Sequence, residues 1–247
     1  MSAAPATSPM RRDLWITVLA LALLVAWDAS GLDRVVSAWA GGHAGFPWRD
    51  AWVTRHLLHD GGRVAAWAVF GALVLDALAG DRLFRRTRPT LGSGARWAAI
   101  GVVLANLVVV PTLKRTSATS CPWALAEFGG VARYVPHWDW GVPDGGPGHC
   151  FPSGHAVAAF AFFALYFAWR ELRPEVARRW LVATLVAGLA FGTAQVLRGA
   201  HFVSHVGWSA FACWTLAAAF DAVSRRRRRS RVRPAAAAGS PASPRRS

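Results

Sequence analysis

Six apolar runs punctuate this chain, at 14–30, about 61–80, 97–113, 154–169, 180–197 and 205–223. Each is near the ~20 residues that an α-helix needs to cross a bilayer core. Any single run could be a buried helix of a water-soluble protein, but six in one chain weaken that alternative. Hydrophobic residues make up 54% of the 247 and charged residues only 17%, which excludes disordered and collagen-like chains. The first run follows Arg11 and Arg12 as the core of a signal peptide would. No small-x-small cleavage site follows it in a polar setting, so a retained helix is expected. The sequence therefore predicts an all-α polytopic membrane protein with six transmembrane helices. A short segment (1–13) precedes the membrane domain (14–223), and a basic, disordered tail (224–247) follows it.

Charge sets the expected orientation. Net charge is +15, but nine Arg and no acid follow Ser224, and without them the balance is +6. With the N-terminus on the cytoplasmic side and alternating crossings, 20 of the 28 basic residues fall on that side. The positive-inside rule then places both termini in the cytoplasm. The run Arg225 to Arg229 is expected to be a topological anchor rather than a nucleic-acid site, so no nucleic-acid partner is expected.

Two other asymmetries point to the outer face. All eight His (His43, His56, His59, His137, His149, His155, His201 and His205) fall there in the alternating topology. Histidine is the side chain that changes charge near neutral pH, so its segregation suggests chemistry on that side. The simpler account is that outer loops hold the polar residues. The chain also carries 27 Arg and one Lys, Lys114, just past the third run. Either chance retained it or a compact ammonium is needed there.

Three segments meet at that face: Lys114 to Trp123, Cys150 to His155, and Arg198 to His205. Pro152-Ser153-Gly154-His155 is expected to open a helix, with Ser153 as its cap and the first free N–H groups as an anion site. Gly154 would let an anion approach the main chain. Lys114 and Arg198 add positive charge, and His155 and His201 supply two imidazoles. One can attack phosphorus while the other protonates the leaving oxygen. Cations and N–H groups would stabilise charge on the equatorial oxygens. Such a site needs no metal or cofactor.

These segments resemble the three signature motifs of the type 2 phosphatidic acid phosphatase superfamily (PAP2): K-x6-R-P, P-S-G-H and S-R-x5-H-x3-D. They are similar to an integral-membrane bacterial branch with K-x6-C-P-W, C-F-P-[SA]-G-H and R-G-A-H-F-x-S-H forms. The resemblance covers roughly residues 97–223 and implies a PAP2-like helical bundle. It implies Lys114, Ser153 and Gly154 as phosphate binders, His155 as general acid and His201 as the nucleophile that forms a phosphohistidine. The chain departs from the family pattern at three places. Cys121 takes the first-motif arginine, Ala194 and Gln195 take the third-motif Ser-Arg pair, and His205 takes the aspartate that orients the nucleophile. Arg198, a helical turn before His201, can replace the missing arginine, with Arg115 as a second candidate. His205 can accept a hydrogen bond from His201. A second register anchors on His205, with Ser209 in the aspartate's place; the G-A-H-F match favours His201.

Cys121 and Cys150 both lie in the outer loop (about 114–153). An oxidising periplasm would permit a disulfide there, closing a loop of about 30 residues and contributing ~3 kcal/mol in the loop-entropy account. A zinc site from Cys121, His137, His149 and Cys150 is the alternative, but its spacing matches no common pattern. The loop's aromatic residues (Trp123, Phe128, Tyr134, Trp138, Trp140) suit an interfacial belt or a lid over a lipid head group. Arg63 suits either snorkelling or a head-group contact. The expected activity is hydrolysis of a phosphomonoester or pyrophosphate on a lipid, at the periplasmic face of a bacterial inner membrane. The partners are the lipid phosphate and the surrounding membrane lipids. A lipid phosphotransferase on the same site and a non-catalytic lipid-phosphate binder or transporter are the alternatives.

Overall fold

A computed structural model describes residues 9–83 and 90–238. Helices α1 (Pro9–Ser30) and α2 (Leu32–Ala40) come first. A π-helical stretch, Val53–Gly61, runs directly into α3 (Gly62–Leu83), and α4 (Ser93–Thr116) follows. After a long loop come α5 (Val157–Phe160), α6 (Phe163–Trp169), α7 (Pro174–Leu197) and α8 (Val203–Ala238). No strand occurs among the described residues.

Five helical segments are long and apolar enough to cross a membrane: Pro9–Ser30, Val53–Gly80, Ser93–Thr116, Pro174–Leu197 and Val203–Arg227. Their outward faces suit lipid. Leu14, Trp15 and Leu23 on α1, Val64 and Leu75 on α3, Val108 on α4 and Val186 on α7 are all exposed. The one buried residue of α1 is a charged one, Asp13. That inverts the usual pattern of a water-soluble helix.

The sixth expected span is different. The 154–169 run forms only the helical stretch Val157–Trp169, shorter than the other five. At 1.5 Å per residue it reaches about 20 Å, against a hydrocarbon core of about 30 Å. It is also broken at Ala161–Phe162 between α5 and α6. Almost every side chain in it is buried, including Val157, Phe160, Phe163, Leu165 and Phe167. Five spans of full length, and not a sixth, occur among the described residues. The fourth run is an inner strut, wrapped by α4, α7 and α8, and its all-round apolar sequence reflects burial in protein. Its beginning, His155, stacks on His59, and the residue after its end, Arg170, pairs with Asp13 and Asp221. It thus joins two opposite ends of the bundle.

Local chemistry sets the helix ends. Pro174 stands at the start of α7, where a missing N–H costs nothing, and Glu175 faces the positive pole of the dipole. The carboxylate of Asp33 accepts the Ser204 N–H (2.9 Å) and the Ser204 hydroxyl, capping α8 from a different helix. At its far end α8 continues as helix to Ala238, where the sequence suggested disorder from 224 onward. Arg and Ala are strong helix formers, and Arg225 is held by Asp221 and Glu171. Asp76 pairs with Arg96, and Asp221 with Arg170 and Arg225. Parts of the orientation argument, including Arg85, Arg86, Arg88, Arg245 and Arg246, fall outside the described residues, as do 1–8 and 239–247.

The loop between α4 and α5 is a packed cap. Phe46, Leu125, Phe128, Ala132 and Phe202 form a second small core beneath it. Asp144 accepts from the Ser120 N–H (2.6 Å) and hydroxyl (2.9 Å). Cys121 and Cys150 are joined in a disulfide, with Cα atoms 5.1 Å apart.

Candidate active site

Lys114 lies in the last turn of α4, where the negative pole of the dipole favours a cation. Its Nζ sits 3.5 Å from Nε2 of His201. His201 lies between α7 and α8, on a turn that begins at Gly199. Gly199 has φ +67°, and any side chain there would strike the ring of Phe46. Glycine is therefore required twice over, for conformation and for space. Gly154 brings its main chain against the Lys114 side chain: a Cβ would stand 3.4 Å from Cδ and 4.0 Å from Nζ.

His201 is buried, and its Nδ1 edge faces Cys150, with the sulfur 3.5 Å away. An ammonium only donates, so the Nε2 lone pair faces Lys114 Nζ and Nδ1 carries the hydrogen. Burial, with Lys114 and His205 beside it, pushes the His201 pKa well below its usual value. The imidazole is neutral, and Nε2, the nitrogen that faces Lys114, carries the lone pair that a nucleophile requires.

His155 stacks on His59, with centroids 4.3 Å apart, and its Nε2 donates to the Leu58 carbonyl at 3.3 Å. Both supports come from the π-helical stretch. Burial, and then the charge of His59, lower the His155 pKa to about 4. With Nε2–H committed to Leu58, Nδ1 is the nitrogen left to carry a transferable proton.

These groups line one cavity of about 580 Å³. At one end stand Lys114, Gly154, His155, Arg198, His201 and Gln195. Arg198 caps α7 and donates from Nε to the Arg49 carbonyl (2.9 Å). The rest of the wall is apolar: Ala66, Trp67, Phe70, Val103, Leu107 and Phe162. Trp67, on that wall, is well exposed. Among the described residues no carboxylate lines this cavity.

Several expected positions differ. Ser153 does not cap a helix: α5 begins at Val157, after Ala156, without a side-chain cap. The Ser153 N–H instead donates to the His205 carbonyl (3.1 Å), and its own carbonyl accepts from Ser209 (2.9 Å). Those bonds to α8 hold the segment out of helical geometry. Ser153 Oγ is fully buried with no partner, behind the cavity wall. Arg115 is exposed and off the cavity wall. The 100° step per residue in α4 turns it away from Lys114. His205 does not meet His201 by hydrogen bond. The ring centroids are 5.8 Å apart, and His205 Nδ1 donates to the Cys150 carbonyl (3.1 Å).

Three cavity residues were missed or undervalued in the sequence. Gln195, treated as a loss of the motif arginine, stands on the cavity wall with its amide nitrogen unpartnered. His59 and Arg63 reach the wall because the π-helical turn carries them there. No hydrophobic period announces a π-helix, though two His and an Asp within five residues were a signal. The zinc alternative loses its ligands, since both sulfurs are bonded to one another. His149 is exposed, and His137 stacks on Phe151.

The family model described as the PAP2 superfamily matches residues 95–229, more than half of the chain. That span contains Lys114, His155 and His201. No curated protein and no solved structure matches the chain.

Proposed function

The chain belongs to the PAP2 superfamily, and on that premise we propose that it is a membrane phosphatase that hydrolyses a lipid phosphate through a phosphohistidine on His201. His201 Nε2 attacks phosphorus. His155 gives its Nδ1 proton to the departing lipid oxygen, then removes a proton from the water that cleaves the N–P bond. Phosphate leaves and both imidazoles return to their starting state. In the empty site His155 is neutral at pH 7. An entering phosphate favours its charged form, so the catalytic proton arrives with the substrate. Lys114, Arg198, the Gln195 amide and the main chain at Gly154 hold the equatorial oxygens.

The observation that carries this proposal is the two-part wall of the cavity. Two cations, Lys114 and Arg198, and two imidazoles gather at one end, and an apolar lane that includes Trp67 continues from them. A phosphate on an acyl or isoprenoid chain fits that division, whereas a soluble phosphate ester would leave the lane unused. We place the site at the outer face of a bacterial inner membrane, with both termini in the cytoplasm and the short inner strut counted as a sixth crossing. The test is phosphate release by detergent-purified protein from a panel of lipid mono- and diphosphates, with EDTA present, beside His201→Ala. Release by the wild type alone supports the assignment. Equal release by His201→Ala, or none from any lipid by either protein, refutes it. A phosphorylated lipid product without free phosphate would identify a transferase instead.

A further inference from the structure

We propose that the Cys121–Cys150 disulfide is the positioning element of the nucleophile His201, filling the role that the family pattern gives to a carboxylate. The inference rests on the phosphatase proposal for its catalytic meaning, but its geometry stands apart from the identity of the substrate.

A nucleophilic histidine needs its far nitrogen held as N–H, so that the attacking nitrogen keeps its lone pair. The family pattern supplies an aspartate at the position of His205. Here no acid among the described residues does that work. Asp33 is occupied by Ser204 and by Trp27 Nε1 (2.8 Å), and Asp28 by Trp138 and Trp208. The group facing His201 Nδ1 is Cys150, through its sulfur at 3.5 Å. The same residue's carbonyl accepts from His205 Nδ1. One fully buried residue therefore orients both imidazoles of the third motif.

Cys150 is itself held from two directions. Its N–H donates to the Thr119 carbonyl (2.9 Å), and its sulfur is bonded to Cys121. Two residues after Cys121, the Trp123 N–H donates to the Gly199 carbonyl (2.9 Å), at the turn that carries His201. The bridge thus closes a ring of contacts around the nucleophile: 119–123, Cys150, His201 and Gly199. Two departures from the family pattern, Cys121 for arginine and His205 for aspartate, become one change. A charged orienting group is replaced by a covalently fixed neutral one. A neutral acceptor sets the tautomer without drawing a proton onto the ring, in keeping with the neutral His201 of this site.

The test compares four proteins: the oxidised wild type, the wild type after treatment with a phosphine, the Cys121→Ser/Cys150→Ser variant, and that variant with His205→Asp added. In the second, the phosphine becomes its oxide as the S–S bond becomes two thiols. Two readouts are used: kcat and KM on the best lipid phosphate, and the ¹⁵N NMR tautomer state of the His201 imidazole. Losing the bridge is expected to lower kcat on the order of 10- to 100-fold, with KM little changed, since misplacement of a reacting group costs about this much. The Nδ1–H tautomer should give way to a mixture. The phosphine should have no effect on the serine variant, and His205→Asp should recover most of the lost kcat. The proposal is overturned if the reduced wild type keeps both its kcat and its Nδ1–H tautomer. It is equally overturned if His205→Asp fails to recover activity in a variant whose unfolding temperature shows it folded. If the wild type hydrolyses no lipid phosphate, the phosphatase assignment fails, and the tautomer readout still decides the positioning claim.

Discussion

The two ends of the bundle handle buried charge in opposite ways. At the end away from the cavity, Arg170 lies between Asp13 (2.5 Å) and Asp221 (2.6 Å). Arg225 shares Asp221 and adds Glu171, and Arg96 meets Asp76 (3.1 Å). At the cavity end, Lys114 and Arg198 are drawn in among apolar groups and hydrogen-bond only to neutral partners, an imidazole and a main-chain carbonyl, while Asp50 and Asp60 act on Arg198 from outside the cavity wall. A buried charge beside its counter-ion ties helices together. A buried charge without one costs desolvation and is kept for an anion that arrives from outside. The contrast marks the cavity end as the candidate site without any motif.

The contrast can be broken experimentally from either end. The largest effect is expected at the nucleophile: His201→Ala should lower phosphate release at least about 10³-fold while leaving the protein folded. At the opposite end, Arg170→Met leaves Asp13 and Asp221 buried and uncompensated. Thermal unfolding in detergent should show a loss of about 3–5 kcal/mol, with kcat per folded molecule unchanged. Lys114→Met is the mirror experiment. It removes a cation with no carboxylate partner, so kcat/KM should fall about 10²- to 10³-fold with no loss of unfolding temperature. If Lys114→Met destabilises as Arg170→Met does, the distinction between the two ends is wrong. Gln195→Ala should cost about tenfold in kcat/KM, the worth of one hydrogen bond to a charged oxygen.

The smallest effect is on pH dependence. His155 titrates at about 4 in the folded protein and His201 well below its usual value, both because of burial. The unfolded chain, with ordinary imidazoles, binds more protons than the folded one between about pH 6.5 and 4. Stability contributed by these groups is therefore full above about 6.5 and lost as pH falls toward 4. Unfolding temperature should track that course, and the fall should be shallower in His155→Gln. Inorganic phosphate, by favouring the charged imidazole in the folded site, should also flatten it.

The sequence was legible where one residue type does one job. Lys114 as the only lysine, Gly154 against its side chain, and His155 and His201 as a pair all stand together on one cavity wall. It was illegible where tertiary contacts overrule local preference. Ser153 reads as a helix cap, yet α8 takes its N–H and its carbonyl and delays the helix to Val157. The 154–169 run reads as a membrane crossing because burial in protein and burial in lipid select the same apolar residues. Length tells the two apart, and this run is a short strut inside the bundle rather than a lipid-facing helix. Gln195 read as damage to a motif, since composition at a position says nothing of which wall it will line. The π-helical turn at Val53–Gly61, which sets His59 against His155, has no periodic signature in a stretch so short.

The divided wall of the cavity also governs the fate of the two products. The proposed hydrolysis would split an amphiphile into a water-loving ion and an oily alcohol. The ion would be left among the polar groups of the wall and the alcohol beside its apolar ones, Trp67 among them. Two products of opposite solubility would then have no common phase to share, and reunion in the site would need two independent arrivals.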